Sequence, residues 1–158
     1  MTLSNSDSIF VTNLEKKFGA FVAVNKITFS VKKGEIFGFL GANGSGKSTT
    51  IRMLCGIITH TSGGGVVAGH DIMTDAEEIK HSIGYMSQKF SLYEDLTPFE
   101  NLRFYLGVYY VPEAQWSQRI NWVLDMTRLQ DVRNRKTKEL PTGWRQRLAL
   151  GCSLLHKP

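Results

Sequence analysis

Cysteine is scarce. The chain has two in 158 residues, Cys55 and Cys152. Both lie in apolar, helix-like segments with no metal-ligand spacing around them, so they read as reduced packing residues rather than a disulfide or a catalytic thiol. Long apolar runs are missing too: nothing approaches the roughly 18 uncharged residues of a membrane-spanning helix. The opening MTLSNSDSIF has no basic region followed by an apolar one, and the expectation is a cytoplasmic chain. There is no internal repeat and no low-complexity segment. Nor do basic residues alternate with aromatics: Lys and Arg are spread thinly, and the densest group, residues 133–138, carries no ring on which a base could stack. The net charge of +5 is therefore consistent with an anionic ligand, but no nucleic acid partner is expected.

What is present is the composition of one globular domain, 42% hydrophobic and 21% charged. Strands and helices alternate. A strand begins at Ile9, and residues 27–31 (ITFSV) alternate as a half-buried strand does, antiparallel to the first. After a turn at Gly34, residues 36–40 (IFGFL) are nearly all apolar, as in a parallel strand buried on both faces. A helix is expected from about Lys47 to Cys55, ending at Gly56. Residues 61–72 read as a Gly-rich turn and a short strand, and residues 75–82 as a helix with an acidic start. The IGYMSQ stretch reads as another short strand. Thr97, Pro98 and Glu100 form a capping box with proline at the first helical position, so a helix starts there. Trp116, Ile120, Val123 and Leu124 share one face of the next, and a last helix runs from near Gly143 to about His156.

The stretch GANGSGKS, residues 41–48, matches G-x-x-x-x-G-K-[ST] between the expected buried strand and the expected helix, which is the context this phosphate loop requires. Glycines let backbone N–H groups turn onto phosphate oxygens, and the helix N-terminus adds partial positive charge. Lys47 would reach the β and γ phosphates, and the Ser48 hydroxyl would ligate Mg2+. The loop alone names a wide class of ATPases and GTPases, but the N-K-x-D segment of guanine-specific enzymes is missing.

The flanking segments resemble the ATP-binding cassette family over essentially the whole chain. The resemblance implies a P-loop α/β core with a parallel sheet, N-terminal antiparallel strands and a helical insertion after the Q-loop. It divides the chain into a nucleotide-binding core (1–88), a helical subdomain (89–142) and a signature helix (143–158). Phe18 stands where the family stacks an aromatic on adenine. Gln88, which follows IGYMS, matches the Q-loop glutamine, whose amide oxygen can meet Mg2+ or water. The segment LPTGWRQR resembles the signature L-S-G-G-Q-R, with Leu140, Gly143, Arg145, Gln146 and Arg147 in place. It departs at Pro141, Thr142 and Trp144; Thr142 would supply the signature hydroxyl one position late, and Pro141 removes a backbone N–H.

The implied site is ATP on Phe18, Asn43, Gly44, Ser45, Gly46, Lys47, Ser48, Thr49 and Gln88, completed by Thr142 and Gly143 of an opposing subunit. Lys47 and Gln88 take part in catalysis, and Ser48 and Gln88 hold Mg2+. The implied partners are a second ATP-binding domain and transmembrane permease subunits at the cytoplasmic face of the membrane, with drug or lipid export as the implied transport. In the family a strand ending in Asp-Glu and then a switch histidine follow the signature helix. The chain ends before both, and His60, His70, His81 and His156 all lie upstream. The expectation is therefore the N-terminal portion of a longer cassette, incomplete at its C-terminus, or one that completes its sheet with another chain. One edge of residues 36–40 would then be unpaired and apolar. Two alternatives remain open: a soluble cassette ATPase acting on ribosomes or DNA, and a nucleotide sensor that does not hydrolyse.

Overall fold

The structure, a computed structural model, describes residues 7–87 and 91–158, so Gln88 lies outside the described residues. The chain forms two compact units, Met1–Ile83 and Gly84–Pro158.

In the first unit, β1 (Asp7–Phe18) and β2 (Phe21–Lys32) form an antiparallel hairpin, and β3 (Ser62–Val67) and β4 (His70–Asp71) extend it in the order β2-β1-β3-β4. Two helices, α1 (Lys47–Leu54) and α2 (Ala76–Ser82), complete the unit. Val11, Leu14, Val24 and Val67 enter one cluster with Met53 and Leu54 of α1 and with Ile72 and Ile79, an irregularity of the β1–β2 ladder between Val11 and Leu14 turning both to the same face. Each such side chain, fully buried, contributes about 1.5–3 kcal/mol before chain entropy is subtracted. Cys55 is buried at the end of α1, which pushes its thiol up to about 11, as suits a packing residue.

Three sequence expectations change. The glycines of residues 63–65 belong to a strand rather than a turn. Gly64 and Gly65 pair with Thr12 and Val11, and a Cβ on Gly65 would lie 2.4 Å from the Phe10 carbonyl oxygen. Side-chain-free residues let the two backbones meet closely. Residues 36–40 do not form a paired strand, and every ladder among the described residues is antiparallel. A strand needs a neighbour's backbone, and no described residue supplies one to this run. The run lies with Phe37 and Phe39 against Phe29 of β2, ring centroids 5.4 and 5.2 Å away, while Ile36 is 100% and Leu40 95% exposed. The expected short strand in IGYMSQ likewise has no ladder partner among the described residues.

The second unit is helical: α3 (Pro98–Val108), α4 (Trp116–Thr127) and α5 (Thr142–Leu154). At the start of α3 the capping box is formed. The Glu100 N–H donates to the Thr97 hydroxyl, the Thr97 N–H donates to the Glu100 carboxylate, and Pro98 opens the helix. Leu102, Leu106, Ile120, Val123, Leu124, Leu148 and Cys152 share one core, and burial there raises the Cys152 thiol pKa strongly. Helices α4 and α5 approach closely because residue 151 is glycine: a Cβ there would sit 2.4 Å from Val123 Cγ1.

One polar residue organises this core. Asn101 is fully buried. Its Oδ1 accepts the Tyr93 N–H, and its Nδ2 donates to the carbonyls of Tyr93 and Thr97 and to Thr137 Oγ1. It ties the segment before α3 and the turn before α5 to α3 itself. Replacing it removes the partners of the Tyr93 N–H and of the Thr137 hydroxyl at once and leaves the core without its polar tie, so Asn101→Leu is expected to cost about 2–4 kcal/mol, read by urea unfolding. An unchanged unfolding midpoint would show that the network carries no weight.

Candidate functional site

The phosphate-loop sequence is bent by glycine and closed by a helix. Gly46 is the N-cap of α1 with φ of 86°, in the left-handed region that other residues enter at a cost. A Cβ at this position would lie 2.4 Å from the Ala23 carbonyl oxygen and 3.1 Å from Val24 Cγ2, so the loop rests directly on β2. That carbonyl projects at an irregularity in the hairpin. Lys16 pairs with Val24 but Lys17 with Val22, which leaves Ala23 as an extra residue on β2. The buried Thr50 then fastens the helix start: its N–H and hydroxyl both donate to the Gly46 carbonyl, at 2.8 and 3.0 Å. The backbone ladder of α1 begins with that bond, so the N–H groups of Lys47, Ser48 and Thr49 precede it.

Lys47 folds back into the loop. Its ammonium donates to the Gly41 and Ala42 carbonyls, each at 2.7 Å, and lies 3.5 Å from Ser45 Oγ. A cation is thereby held over a turn whose N–H groups run into a helix N-terminus, a combination that attracts a polyanion of phosphate size. Asn43, Gly44, Ser45 and Ser48 are exposed, and Gly46, Lys47 and Thr49 are half-buried. The donor set also fits Mg2+. Among the described residues no group of three or more His, Cys, Asp or Glu could hold a metal alone. A magnesium ion commonly takes one or two protein oxygens and completes its shell with phosphates and water, which the exposed Ser48 hydroxyl suits.

Phe18 sits at the tip of the same hairpin, paired with Phe21 across the turn and 53% exposed. It lies two residues along β1 from Lys16, whose partner Val24 touches Gly46. The structure thus brings the expected base-stacking ring and the phosphate loop onto one hairpin. Thr50, which fixes the Gly46 carbonyl, was missed by sequence reasoning, although its place in the hydroxyl run STT was the available signal.

In the second unit, Thr142 and Gly143 open α5 and are exposed, with Pro141 as N-cap. The Trp144 and Arg145 N–H groups both donate to the Pro141 carbonyl, so those of Thr142 and Gly143 precede the ladder. Thr142 Oγ1 accepts from Arg145 Nη2 at 3.4 Å, and Arg145 Nη1 reaches the Glu94 carboxylate at 3.2 Å. Trp144, where the family signature has glutamine, is half-buried against the helical core, so its large side chain has a packing use. Sequence reasoning did not anticipate the Glu94 tie.

A family model described as ABC transporter matches residues 24–158. The chain is 47% identical over 145 residues to the "Probable multidrug ABC transporter ATP-binding protein YbhF" of Escherichia coli (strain K12), covering 92% of this chain and 25% of that protein. It is 38% identical over 146 residues to the "Linearmycin resistance ATP-binding protein LnrL" of Bacillus subtilis (strain 168), covering 92% and 47%. The chain therefore spans a quarter to about half the length of these curated relatives. Among solved structures it resembles an "ATP binding subunit of ABC transporter" with a TM-score of 0.81 at 28% identity, covering 95% of this chain and 62% of that one. It also resembles the dimeric, post-hydrolysis ATP-binding cassette MJ0796 bound to ADP and Pi, with a TM-score of 0.80 at 26% identity, covering 95% and 70%. The neighbours give the fold class expected from the sequence, a P-loop α/β core.

Gly44 and Gly46 separate two costs. Both have positive φ, 84° and 86°, but a Cβ at 44 meets nothing within 4 Å. Gly44→Ala is expected to lose about 1 kcal/mol from backbone strain alone, and Gly46→Ala at least twice that because the loop must also leave β2. Equal melting temperatures for the two variants would show that the contact with Ala23 does not matter.

Proposed function

The chain belongs to the ABC transporter family, and from that membership we propose that it is the ATP-binding part of a transporter that binds Mg·ATP and, in the intact protein, hydrolyses it to drive transport. The observation that carries this reading is the placement of the Lys47 ammonium, 2.7 Å from the Gly41 and Ala42 carbonyls, inside a glycine-bent loop that opens α1. On arrival of a triphosphate, Lys47 would exchange those carbonyls for β and γ phosphate oxygens. The backbone from Asn43 to Thr49 would surround the phosphates, and Phe18 would stack on adenine. Mg2+, when bound, supplies charge neutralisation at the phosphates, with Ser48 and Gln88 as its protein ligands.

We place the nucleotide-binding core at residues 1–88, the helical subdomain at 89–142 and the signature helix at 143–158. In this reading Thr142 and Gly143 complete the site of a second ATP-binding domain, using the N–H groups that precede the α5 ladder. The dimeric neighbour is consistent with such pairing. Two relatives, named for multidrug transport and for linearmycin resistance, support drug or lipid export as the transport. No helix among the described residues is long and apolar enough to cross a membrane. Transmembrane permease subunits, or domains elsewhere in the protein, would therefore provide the path, with this part peripheral on the cytoplasmic face. The exposed Ile36 and Leu40 would take a parallel neighbouring strand in the assembled protein.

Lys47→Ala removes the charge facing the phosphates, and in the intact protein it is expected to lower Mg·ATP affinity or turnover at least tenfold, about 1.4 kcal/mol or more. Titration with a fluorescent ATP analogue and a phosphate-release assay read the two quantities. Wild-type values in both would refute the assignment.

A further inference from the structure

We propose that Lys16 is a positioning residue of this nucleotide site: pinned by the Thr59 carbonyl, its ammonium backs one face of the Phe18 ring and presents the other face to the base. The proposal rests on the nucleotide-binding reading above and adds to it a residue that fixes both the ring and its distance from the phosphates.

The geometry has two anchors. Lys16 Nζ donates to the Thr59 carbonyl oxygen at 2.7 Å and lies 5.0 Å from the Phe18 ring centroid. Thr59 follows α1, the helix whose first turn is the phosphate loop. The chain that begins by holding phosphate thus reaches back, five residues beyond Leu54, to hold the lysine that backs the ring. At the other anchor the Ala23 carbonyl and Val24 of β2 bear on Gly46. The hairpin tip is therefore tied to both ends of α1, and these ties set the spacing between a base on Phe18 and phosphates on Lys47. Adjacent bonds stiffen the tie: the Lys17 N–H donates to Thr61 Oγ1, and the Thr61 N–H donates to the Glu15 carbonyl.

Lys16 differs from its neighbour. Lys17 is exposed and pairs with the Glu15 carboxylate at 3.2 Å, whereas Lys16 is half-buried and forms no ion pair among the described residues. A lysine side chain gives up considerable rotamer freedom when held in this way. Here it is held against an aromatic that packs into neither hydrophobic cluster and is 53% exposed. A cation on one face draws π density towards itself and leaves the opposite face better suited to an electron-rich purine. With that face covered, a base has one side of Phe18 on which to stack.

The test uses the intact protein and two probes, Mg·ATP and Mg·tripolyphosphate, the second of which has phosphates but no base. In Lys16→Met, ATP affinity is expected to fall roughly three- to tenfold while tripolyphosphate affinity holds. Lys16→Arg, which keeps the cation and the donor, should recover most of the loss. In a Phe18→Leu background Lys16→Met should have no further effect, because there is no ring left to position. Three results overturn the proposal: unchanged ATP affinity in Lys16→Met, an equal loss for both probes, or full additivity of the two substitutions. If Lys16→Met fails to fold, Lys16→Gln, which keeps a donor near Thr59 without the charge, is judged by the same criteria. Failure of the nucleotide-binding reading looks different, since the wild-type protein would then bind neither probe.

Discussion

A methyl group at residue 46 would lie 2.4 Å from the Ala23 carbonyl oxygen, and much of the first unit follows from the glycine that avoids this contact. Gly46 lets the chain enter α1 through a left-handed turn while resting on the extra residue of β2. The same residue offers its carbonyl to both donors of Thr50, so the start of the helix and its seat on the sheet are fixed together. Once fixed, the loop holds Lys47 inward and leaves the first N–H groups of α1 ahead of the ladder. That combination of cation, N–H groups and glycine flexibility is what a phosphate chain needs. The site therefore depends on backbone geometry at a few positions more than on any buried polar side chain.

The second unit follows a different logic, in which burial comes first and a polar hub makes it specific. Three helices bury leucine, isoleucine and valine, and Gly151 sets how closely α4 and α5 can approach. Asn101 then satisfies backbone groups of the segment before α3 and the hydroxyl of Thr137. Because Thr137 lies just before the turn into α5, the same hub helps hold the position at which Thr142 and Gly143 are presented. Apolar packing alone would tolerate several registers of these helices, whereas a buried amide with defined donors and acceptors tolerates few.

The phosphate loop was legible because its chemistry is local: eight consecutive residues and a helix start carry the geometry. The capping box at Thr97 and the apolar stripe of Ile120, Val123 and Leu124 were legible for the same reason. Contributions that depend on distant chain were not. Residues 36–40 have the apolar pattern of a buried parallel strand, but pairing is a property of two segments, and no described residue pairs with these. The Gly-rich stretch before Val66 looked like a turn because glycine permits one, yet β1 alongside it uses the missing side chains to approach closely. Asn101 is polar by type, and nothing in that type marks it as a core residue. Its spacing of three from Pro98 and its place beside Leu102 put it on the buried stripe of α3, and that was the signal available. The Ala23 irregularity gave no sign in the sequence, because an extra residue in a ladder is defined only by its partner strand.

Hydrogen–deuterium exchange of the intact protein with and without Mg·ATP tests the central claim most directly, because it reads the backbone amides said to surround the phosphates. The account predicts slower exchange on adding Mg·ATP for the amides of residues 44–49 and for the tip of the β1–β2 hairpin around Phe18. Nucleotide-independent exchange in both segments, at ATP concentrations that saturate binding, would contradict it.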